Sequence, residues 1–586
     1  MIRNALTTVI SSILLASTFA CSPASDDAAP QDTSTTASTP SPTPVADTEV
    51  SGFQMPALPV DTSPEITPED LAERLEIIAS DTFKGRAPGT VEGEASAQWI
   101  ADEMARIGLA PAVNGSYSQT VKMNAQTVDL EKSGLSLKIG DEDLELQAGK
   151  DAVFWTKRQI EGPIDIADSE LVFVGYGINA PEHKWNDYEG LDMKGKTAVI
   201  LINDPGFETL DPELFNGKSM TYYGRWTYKF EEAARQGADA AIIIHETAPA
   251  AYGWNVVSGS WSGEQADLVR AGNGMDRVPM EAWISNDIAQ KLFAHMNTTY
   301  ADMKKAAYTR GFKAVPMEGI AASGSITQTV SRKESQNIAG VVTGKTHPDE
   351  YMLYMAHWDH LGEKKNFATD DAIHNGAIDN ASGVSLMLEM AEAFANGEQP
   401  DRSVIFLAVT LEESGLLGSA YFAENPFIPL NKIVAGINTD ATFPRGLSKN
   451  MEIIGSGSSQ LEDRLEAILK TQNRYVSPDS TPQNGYFYRS DHISLAKKGV
   501  PVIYADGGAD LVNGGVEAGQ KFAAEYTAKA YHKPADEFNP DWNFEGVAQD
   551  AQAFHALGLG IANSQDWPNW YEGNEFRAIR DKSLAE

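Results

Sequence analysis

Residues 351–360 read YMLYMAHWDH, an apolar run that ends in two histidines and an aspartate. Two later segments have the same design, SVIFLAVTLEE at 403–413 and IVAGINTD at 433–440. Short apolar runs bounded by polar residues are typical of buried strands. Because α/β sheets place their binding residues at the carboxyl ends of strands, we expect these acidic and histidine side chains to converge at one edge of a sheet.

Helical and strand patterns alternate around these segments. Leu386, Met390 and Phe394 have helical spacing and predict an amphipathic helix over residues 383–395, and a closing helix is expected over 548–561. Strands that alternate with helices predict an α/β fold, a mainly parallel mixed sheet with helices on both faces.

The chain of 586 residues is too long for one typical domain. We assign residues 65–147 and 319–586 to one domain, whose second part contains the segments described above. Residues 148–318 have buried strands of their own, such as LVFVGYG from position 171 and AAIII from position 240. We therefore predict a smaller, β-rich α/β insert between the two parts.

The amino terminus predicts export. Residues 1–20 combine a basic start with an apolar run too short to span a membrane, as in a signal peptide. Cys21, the only cysteine, follows directly and predicts a lipid anchor, with ordinary cleavage near Ala20 as the alternative. Residues 21–64 are rich in Pro, Ser, Thr, Ala and Asp and predict a disordered tether. We expect a periplasmic protein, an outer-membrane lipoprotein or a secreted protein.

The charge balance restricts the partners. The chain carries 46 basic and 82 acidic residues, a net charge of −36. Such a surface argues against nucleic acid and against an anionic membrane surface as partners. It suits solubility and, weakly, a cationic ligand such as a peptide amino group.

The strand ends carry candidate metal ligands. His357 and Asp359 are two residues apart, and a carboxylate commonly holds the second ring nitrogen of a metal-bound histidine. Asp379 lies in GAIDNASG at 376–383, where a tight turn can push a carboxylate forward, although this segment alone also fits a helix-capping turn. Carboxylate oxygens mixed with imidazole suit a divalent metal, and zinc best.

Two adjacent glutamates end the next segment. Glu412 and Glu413 are costly to bury unless they are solvated or bound to cations. Because adjacent residues outside a helix point in different directions, one can bind a metal while the other faces the substrate as a base. Asp440 ends the following strand in the same way.

Taken in order, these motifs are similar to those of the M28 family of metallopeptidases, which includes bacterial aminopeptidases with two zinc ions. The resemblance covers about residues 66–147 and 319–565, and it implies a zinc exopeptidase-like fold. Residues 148–318 resemble the protease-associated (PA) domain that is often inserted in such enzymes.

The resemblance implies two Zn²⁺ ions, with Asp379 bridging them, and five ligands in all: His357, Asp379, Glu413, Asp440 and His532. His357 and Asp440 would complete one site, and Glu413 with a late histidine the other. His492 competes with His532 for that last position. We choose His532 because the family's ligand lies in the later His-x-x-x-Asp element.

The function implied is an aminopeptidase that removes N-terminal residues from peptides. Its nucleophile would be a water held between the metals, with Glu412 as general base and Asp359 orienting His357. Tyr531 or Tyr488 would donate a hydrogen bond to the developing oxyanion. A carboxypeptidase or a single-zinc glutaminyl cyclase on the same fold is an alternative, and so is a non-catalytic peptide-binding receptor.

Overall fold

The computed structural model describes residues 53–59, 62–261, 263–364 and 371–585. The predicted signal peptide and Cys21 lie outside the described residues, and so does most of the predicted tether. Where the tether is described, Phe53 stacks on Phe83, with ring centroids 6.2 Å apart, so packing against the core begins before residue 65. No helix within the described ranges is both long and apolar enough to cross a membrane.

The strands are, in chain order, β1 (Ala110–Pro111), β2 (Ser118–Val128), β3 (Gly134–Ile139), β4 (Glu142–Glu145), β5 (Ala152–Trp155), β6 (Ile164–Phe173), β7 (Asn179–Ala180), β8 (Trp185–Asn186), β9 (Lys196–Leu201), β10 (Ala240–Ile244), β11 (Glu264–Leu268), β12 (Met280–Ile284), β13 (Val315–Ile326), β14 (Gln328–Val342), β15 (His347–His357), β16 (Gly362–Glu363), β17 (Ile373–His374), β18 (Arg402–Val409), β19 (Ile433–Asn438), β20 (Asn450–Ile453), β21 (Tyr475–Pro478) and β22 (Val502–Gly507).

The α-helices are α1 (Pro68–Ile78), α2 (Val91–Arg106), α3 (Pro205–Thr209), α4 (Trp226–Arg235), α5 (Thr247–Ala250), α6 (Trp254–Ser260), α7 (Asn286–His295), α8 (Tyr300–Ala307), α9 (Ser382–Asn396), α10 (Leu417–Glu424), α11 (Leu461–Thr471), α12 (His492–Ala496), α13 (Gly515–Lys529), α14 (Glu545–Ala562) and α15 (Arg577–Ala585).

The larger sheet is mixed, in the order β11-β2-β14-β18-β15-β19-β22-β20-β21, with β1 paired to β14. Its centre, β18-β15-β19-β22, is parallel, and the strands on either side join it antiparallel. The predicted mixed α/β sheet is therefore confirmed, with its parallel part at the centre.

Both faces of this sheet are buried, as continuous apolar strands require. Alternate residues of β15 point to opposite sides: Met352, Tyr354 and Ala356 pack with α1, α2, α9, α11 and α14, whereas Leu353 and Met355 pack with α10 and α12. Helices thus cover both faces of the sheet.

A second sheet has the order β4-β3-β13-β6-β9-β10-β12-β5. Its strands come from residues 134–326, so β3 and β4 lie ahead of the expected insert boundary at 148. β11, which lies between two strands of this sheet in sequence, instead pairs with β2 of the larger sheet. The two sheets are therefore linked in two ways. β11 pairs with β2 of the larger sheet, and the chain runs directly from β13 of the second sheet into β14 of the larger sheet.

A buried ion cluster joins the first helices to α9. The guanidinium of Arg74 contacts the carboxylates of Glu103, Glu389 and Glu392, and all four side chains are almost fully buried. Glu389 also accepts a hydrogen bond from the backbone N–H of Thr67, at 2.8 Å. Arg74 thus joins three carboxylates from α2 and α9, and Arg106 adds a second cation beside Glu103, at 2.6 Å, and Glu392, at 3.7 Å.

We expect Arg74→Met to lower the free energy of unfolding by about 3–5 kcal/mol, because it leaves Glu389 buried without a cation and leaves Glu103 and Glu392 with Arg106 alone. Urea denaturation followed by circular dichroism would measure the loss. The control is Arg464→Met, which removes an exposed contact to Asp566 and is expected to cost at most about 1 kcal/mol. Equal losses in the two variants would contradict the role of the cluster.

Candidate metal centre

Three parallel strands deliver the candidate ligands to one edge of the larger sheet. His357 is the last residue of β15 and pairs with Val409 of β18, three residues before Glu412. Met355 pairs with Asn438 of β19, two residues before Asp440. Because the strands are parallel and in this register, their carboxyl ends lie side by side.

The first group of ligands surrounds His357. Its Nε2 atom lies 3.4 Å from Oδ1 of Asp379 and 3.3 Å from Oδ1 of Asp440. Asp379 comes from the turn 377–381 that precedes α9. The three side chains together could hold one metal ion.

The second group lies on the other side of Asp379. Nε2 of His532, which follows α13, lies 3.2 Å from Oδ2 of Asp379 and 3.3 Å from Oε2 of Glu413. The two oxygens of Asp379 therefore face two different histidines. The carboxylate of Asp379 therefore lies between the two groups.

His360, which the sequence did not single out as a ligand, forms with Asp379 and Glu413 a group that could hold a metal ion. Its Nδ1 atom lies 2.7 Å from Oε1 of Glu413, but the geometry is not that of a hydrogen bond. Among the described residues, neither ring nitrogen of His360 nor Oε1 of Glu413 has a hydrogen-bond partner. Buried polar atoms are normally satisfied, so these atoms fit the ligation of a cation. The signal for His360 was its place in the same HWDH segment as His357.

The electrostatics also favour bound cations. Burial raises the pKa of Asp359 to about 7, and burial with the neighbouring Glu413 and Asp440 raises the pKa of Glu412 well above its ordinary range. Burial alone would lower the pKa of His357, but Glu412, Asp440 and Asp379 raise it well above its usual value. The site has an excess of buried negative charge, and oxygen and imidazole donors of this kind suit zinc.

Asp359 lies where expected but acts on a different partner. Its Oδ1 atom is 3.8 Å from Nδ1 of His357, too far for a hydrogen bond. That nitrogen lies 3.2 Å from the main-chain oxygen of Asp359. The carboxylate accepts hydrogen bonds from the backbone N–H groups of Glu412, at 3.0 Å, and Glu413, at 3.4 Å. Asp359 thus fixes the backbone of both glutamates as well as lying beside the histidine.

Asn380 ties the turn of Asp379 to the loop of Asp440. Its side-chain amide donates to the backbone oxygen of Thr439, and its oxygen accepts from Gly383 N–H and Ala441 N–H at 2.9 and 3.1 Å. A Cβ atom on Gly383 would lie 2.2 Å from that oxygen, so this position requires glycine.

Asp536 holds the same turn from the other side. Its carboxylate accepts from the N–H groups of Ile378 and Asp379 and from the hydroxyl of Tyr526, at 3.0–3.1 Å. Because Asp536 follows His532 by four residues, one short segment both contributes a histidine and fixes the carboxylate that it faces.

Arg86 is a third support that the sequence did not reveal. Its fully buried guanidinium donates to the backbone oxygens of Trp358, Asn375 and Gly376, which flank His357 and Asp379. Burial lowers its pKa to about 10, against the attraction of Asp536 and Asp359.

The structure separates the remaining candidates. The ring of Tyr531 stacks on His532 at 3.9 Å, whereas the hydroxyl of Tyr488 donates to Glu575, at 3.1 Å. His492 is buried beside Phe487 and lies outside both ligand groups. Its neighbour Ser490 donates to Oδ2 of Asp440, at 2.5 Å.

We expect His532→Ala to reduce the metal content of the purified protein, because it removes the imidazole that faces both Asp379 and Glu413. His492→Ala is the matched control and is expected to retain the wild-type content. Inductively coupled plasma mass spectrometry of the dialysed proteins would measure both. Loss of metal from His492→Ala alone would exchange the two assignments, and His360→Ala would show whether that ring contributes a ligand.

The family model for peptidase family M28 matches residues 337–554. Among curated proteins, aminopeptidase NAALADL1 of Mus musculus is 31% identical over 122 residues, which are 20% of this chain and 15% of that protein. A probable zinc metalloprotease of Pyricularia oryzae is 36% identical over 89 residues, 15% of this chain and 17% of that protein. The chain thus spans less than a fifth of the length of these two relatives.

A solved structure, the aminopeptidase from Aneurinibacillus sp. strain AM-1, aligns over 86% of this chain and 96% of its own, with 18% identity and a TM-score of 0.49. The family match spans both ligand groups, from His357 to His532. Residues 337–554 of the chain therefore belong to peptidase family M28.

Proposed function

We propose that the protein is a dinuclear zinc aminopeptidase that hydrolyses N-terminal residues from peptides. The observation that carries the proposal is the placement of Asp379, whose two oxygens face His357 and His532 on opposite sides. Family membership supports a peptidase, and the names of NAALADL1 and of the Pyricularia oryzae relative support an aminopeptidase and zinc.

Each of the two ligand groups would hold one metal ion. His357 and Asp440 would hold one Zn²⁺, Glu413 and His532 the other, and Asp379 would be shared. Zinc bound there would lower the pKa of water and polarise the scissile carbonyl. The protein's own side chains would then position the substrate and transfer protons.

Glu412 would transfer the proton. Its neighbour Glu413 faces His532, and the hydrogen bonds from Glu412 N–H and Glu413 N–H to Asp359 fix both residues. Glu412 would accept a proton from the attacking water and return it to the leaving amine. Tyr531, stacked on His532, is the nearer of the two tyrosine candidates for hydrogen bonding to the substrate oxyanion.

Glu412→Gln is expected to lower kcat by about 10²–10⁴-fold, because glutamine cannot accept the proton of the attacking water. Metal content should remain at the wild-type level, since Glu412 lies outside both ligand groups. Steady-state kinetics and metal analysis on the same preparation would measure the two effects.

The matched control is Glu424→Gln, an exposed glutamate at the end of α10, which should leave kcat unchanged. Full activity in a metal-replete Glu412→Gln protein would remove Glu412 as the base.

Paired substrates can test whether the enzyme removes residues from the amino end of a peptide. We expect hydrolysis of leucyl-p-nitroanilide and no hydrolysis of its N-acetylated form, because an aminopeptidase binds a free amino group. Activity should disappear after treatment with 1,10-phenanthroline and return on addition of Zn²⁺. Cleavage of the acetylated substrate alone would defeat the proposal, and release of C-terminal residues from acetylated peptides would favour a carboxypeptidase.

A further inference from the structure

A pair of arginines lies beside the metal centre, and each comes from a different part of the chain. Arg225 immediately precedes α4, which packs on the second sheet. Arg489 follows the short turn 486–488 and comes before α12, which packs on the larger sheet. Each guanidinium interacts electrostatically with the carboxylate of Glu412, and the two repel each other. Ser490, the residue after Arg489, donates to Oδ2 of Asp440 at 2.5 Å, so the pair borders the metal centre.

Direct packing between the two parts fixes the position of the pair. The backbone N–H of Met220 donates to the oxygen of Pro482 at 3.0 Å, and the rings of Tyr222 and Tyr488 lie 6.3 Å apart. Lys497 Nζ lies 4.1 Å from the centroid of Tyr222. The segment 220–225 is thus held against the segment 482–489.

Aromatic rings form the remaining walls. The guanidinium of Arg489 lies 5.2 Å from the ring centroid of Tyr486 and 5.8 Å from that of Tyr252, which belongs to the loop between α5 and α6. The hydroxyl of Tyr531 interacts electrostatically with both guanidinium groups. Rings of this kind orient a guanidinium but leave its N–H donors free for a planar anion.

Glu412 attracts both arginines, but from beyond salt-bridge distance. Among the residues that the structure describes, neither guanidinium forms a salt bridge, although the surrounding chain is strongly acidic. Nε of Arg225 is buried and has no hydrogen-bond partner within the described part of the chain. Burial and the charge of Arg489 lower the pKa of Arg225 to about 10.

Arg225 and Arg489 are both partly buried, and a partly buried cation without a salt bridge is costly, the more so beside a second cation. A single carboxylate can accept hydrogen bonds from two guanidinium groups, and such charge-assisted pairs are among the strongest in proteins. The cost of the arrangement would be offset whenever an anion enters. Packing residues without such a function would be expected to find carboxylates among the many that the chain carries.

We propose that Arg225 and Arg489 form a carboxylate-binding subsite that selects peptides with an acidic group near the scissile bond. The inference rests on the proposed peptidase function and adds a substrate class to it. The carboxylate is either an acidic side chain or the C-terminal carboxylate of a short peptide, and both would be read by the same donors. The segment before α4 thereby takes part in choosing the substrate.

The test compares kcat/KM within pairs of peptides that differ only in one negative charge. Alanyl-alanine against alanyl-alaninamide tests the C-terminal carboxylate. The amides of glutamyl-alanine and glutaminyl-alanine test an acidic side chain at the first position, and those of alanyl-glutamate and alanyl-glutamine test the second position. The measured quantity is the ratio of the charged to the neutral peptide.

The wild type should favour the charged member of at least one pair, and Arg225→Gln and Arg489→Gln should each reduce that ratio by about 10- to 100-fold. Arg225→Lys and Arg489→Lys, which keep the charge, should recover part of it. The control is Arg332→Gln, an exposed arginine in β14, for which the ratio should not change. The pair that responds identifies the source of the carboxylate.

Equal ratios in the wild type and both glutamine variants would overturn the subsite and leave the arginines as packing residues. If none of the peptides is cleaved, the peptidase function fails instead. The ratio of Kd values from calorimetric titration of the same peptides into the zinc-loaded proteins then decides on the subsite alone. A ratio that falls in the variants supports it, and an unchanged ratio overturns it.

Discussion

Buried negative charge is the constraint on which this structure depends. Asp359, Asp379, Glu412, Glu413 and Asp440 meet at one edge of the larger sheet, where water is largely excluded. Carboxylates brought together in this way repel one another and lose their hydration, so they need cations or hydrogen-bond donors. Backbone N–H groups donate hydrogen bonds to the carboxylate of Asp359. The oxygens of Asp379, Glu413 and Asp440 face histidines instead.

The supporting contacts come from widely separated parts of the chain. Arg86, before α2, holds the loops around His357 and Asp379 through their backbone oxygens. Asp536, near the end of the domain, binds the N–H groups of the Asp379 turn. The ligand geometry is therefore a property of the assembled domain, and residues far from the strand ends keep it rigid.

The second sheet is more than an appendage to this centre. Its segment 220–225 packs on 482–489, and Tyr252 packs near Arg489, so the outer wall of the site is built from both parts. The arrangement separates two tasks, because the strand ends hold the charged centre and the contact between the parts shapes its surroundings. The resemblance of residues 148–318 to a PA domain stays a prediction.

The sequence alone determined the α/β class, the buried strands and the acidic and histidine residues at their ends, because apolar runs and the polar residues that follow them are local features. It also placed His357, Asp379, Glu413 and Asp440 among the candidates. The resemblance had already favoured His532 over His492, and in the structure His532 faces Asp379. The tertiary structure alone decided that His360 lies beside Glu413 and that Asp359 binds the backbone of the glutamates. Arg86 and the pairing of Arg225 with Arg489 were equally hidden. These contacts join residues that no periodicity relates, so only the folded chain brings them together.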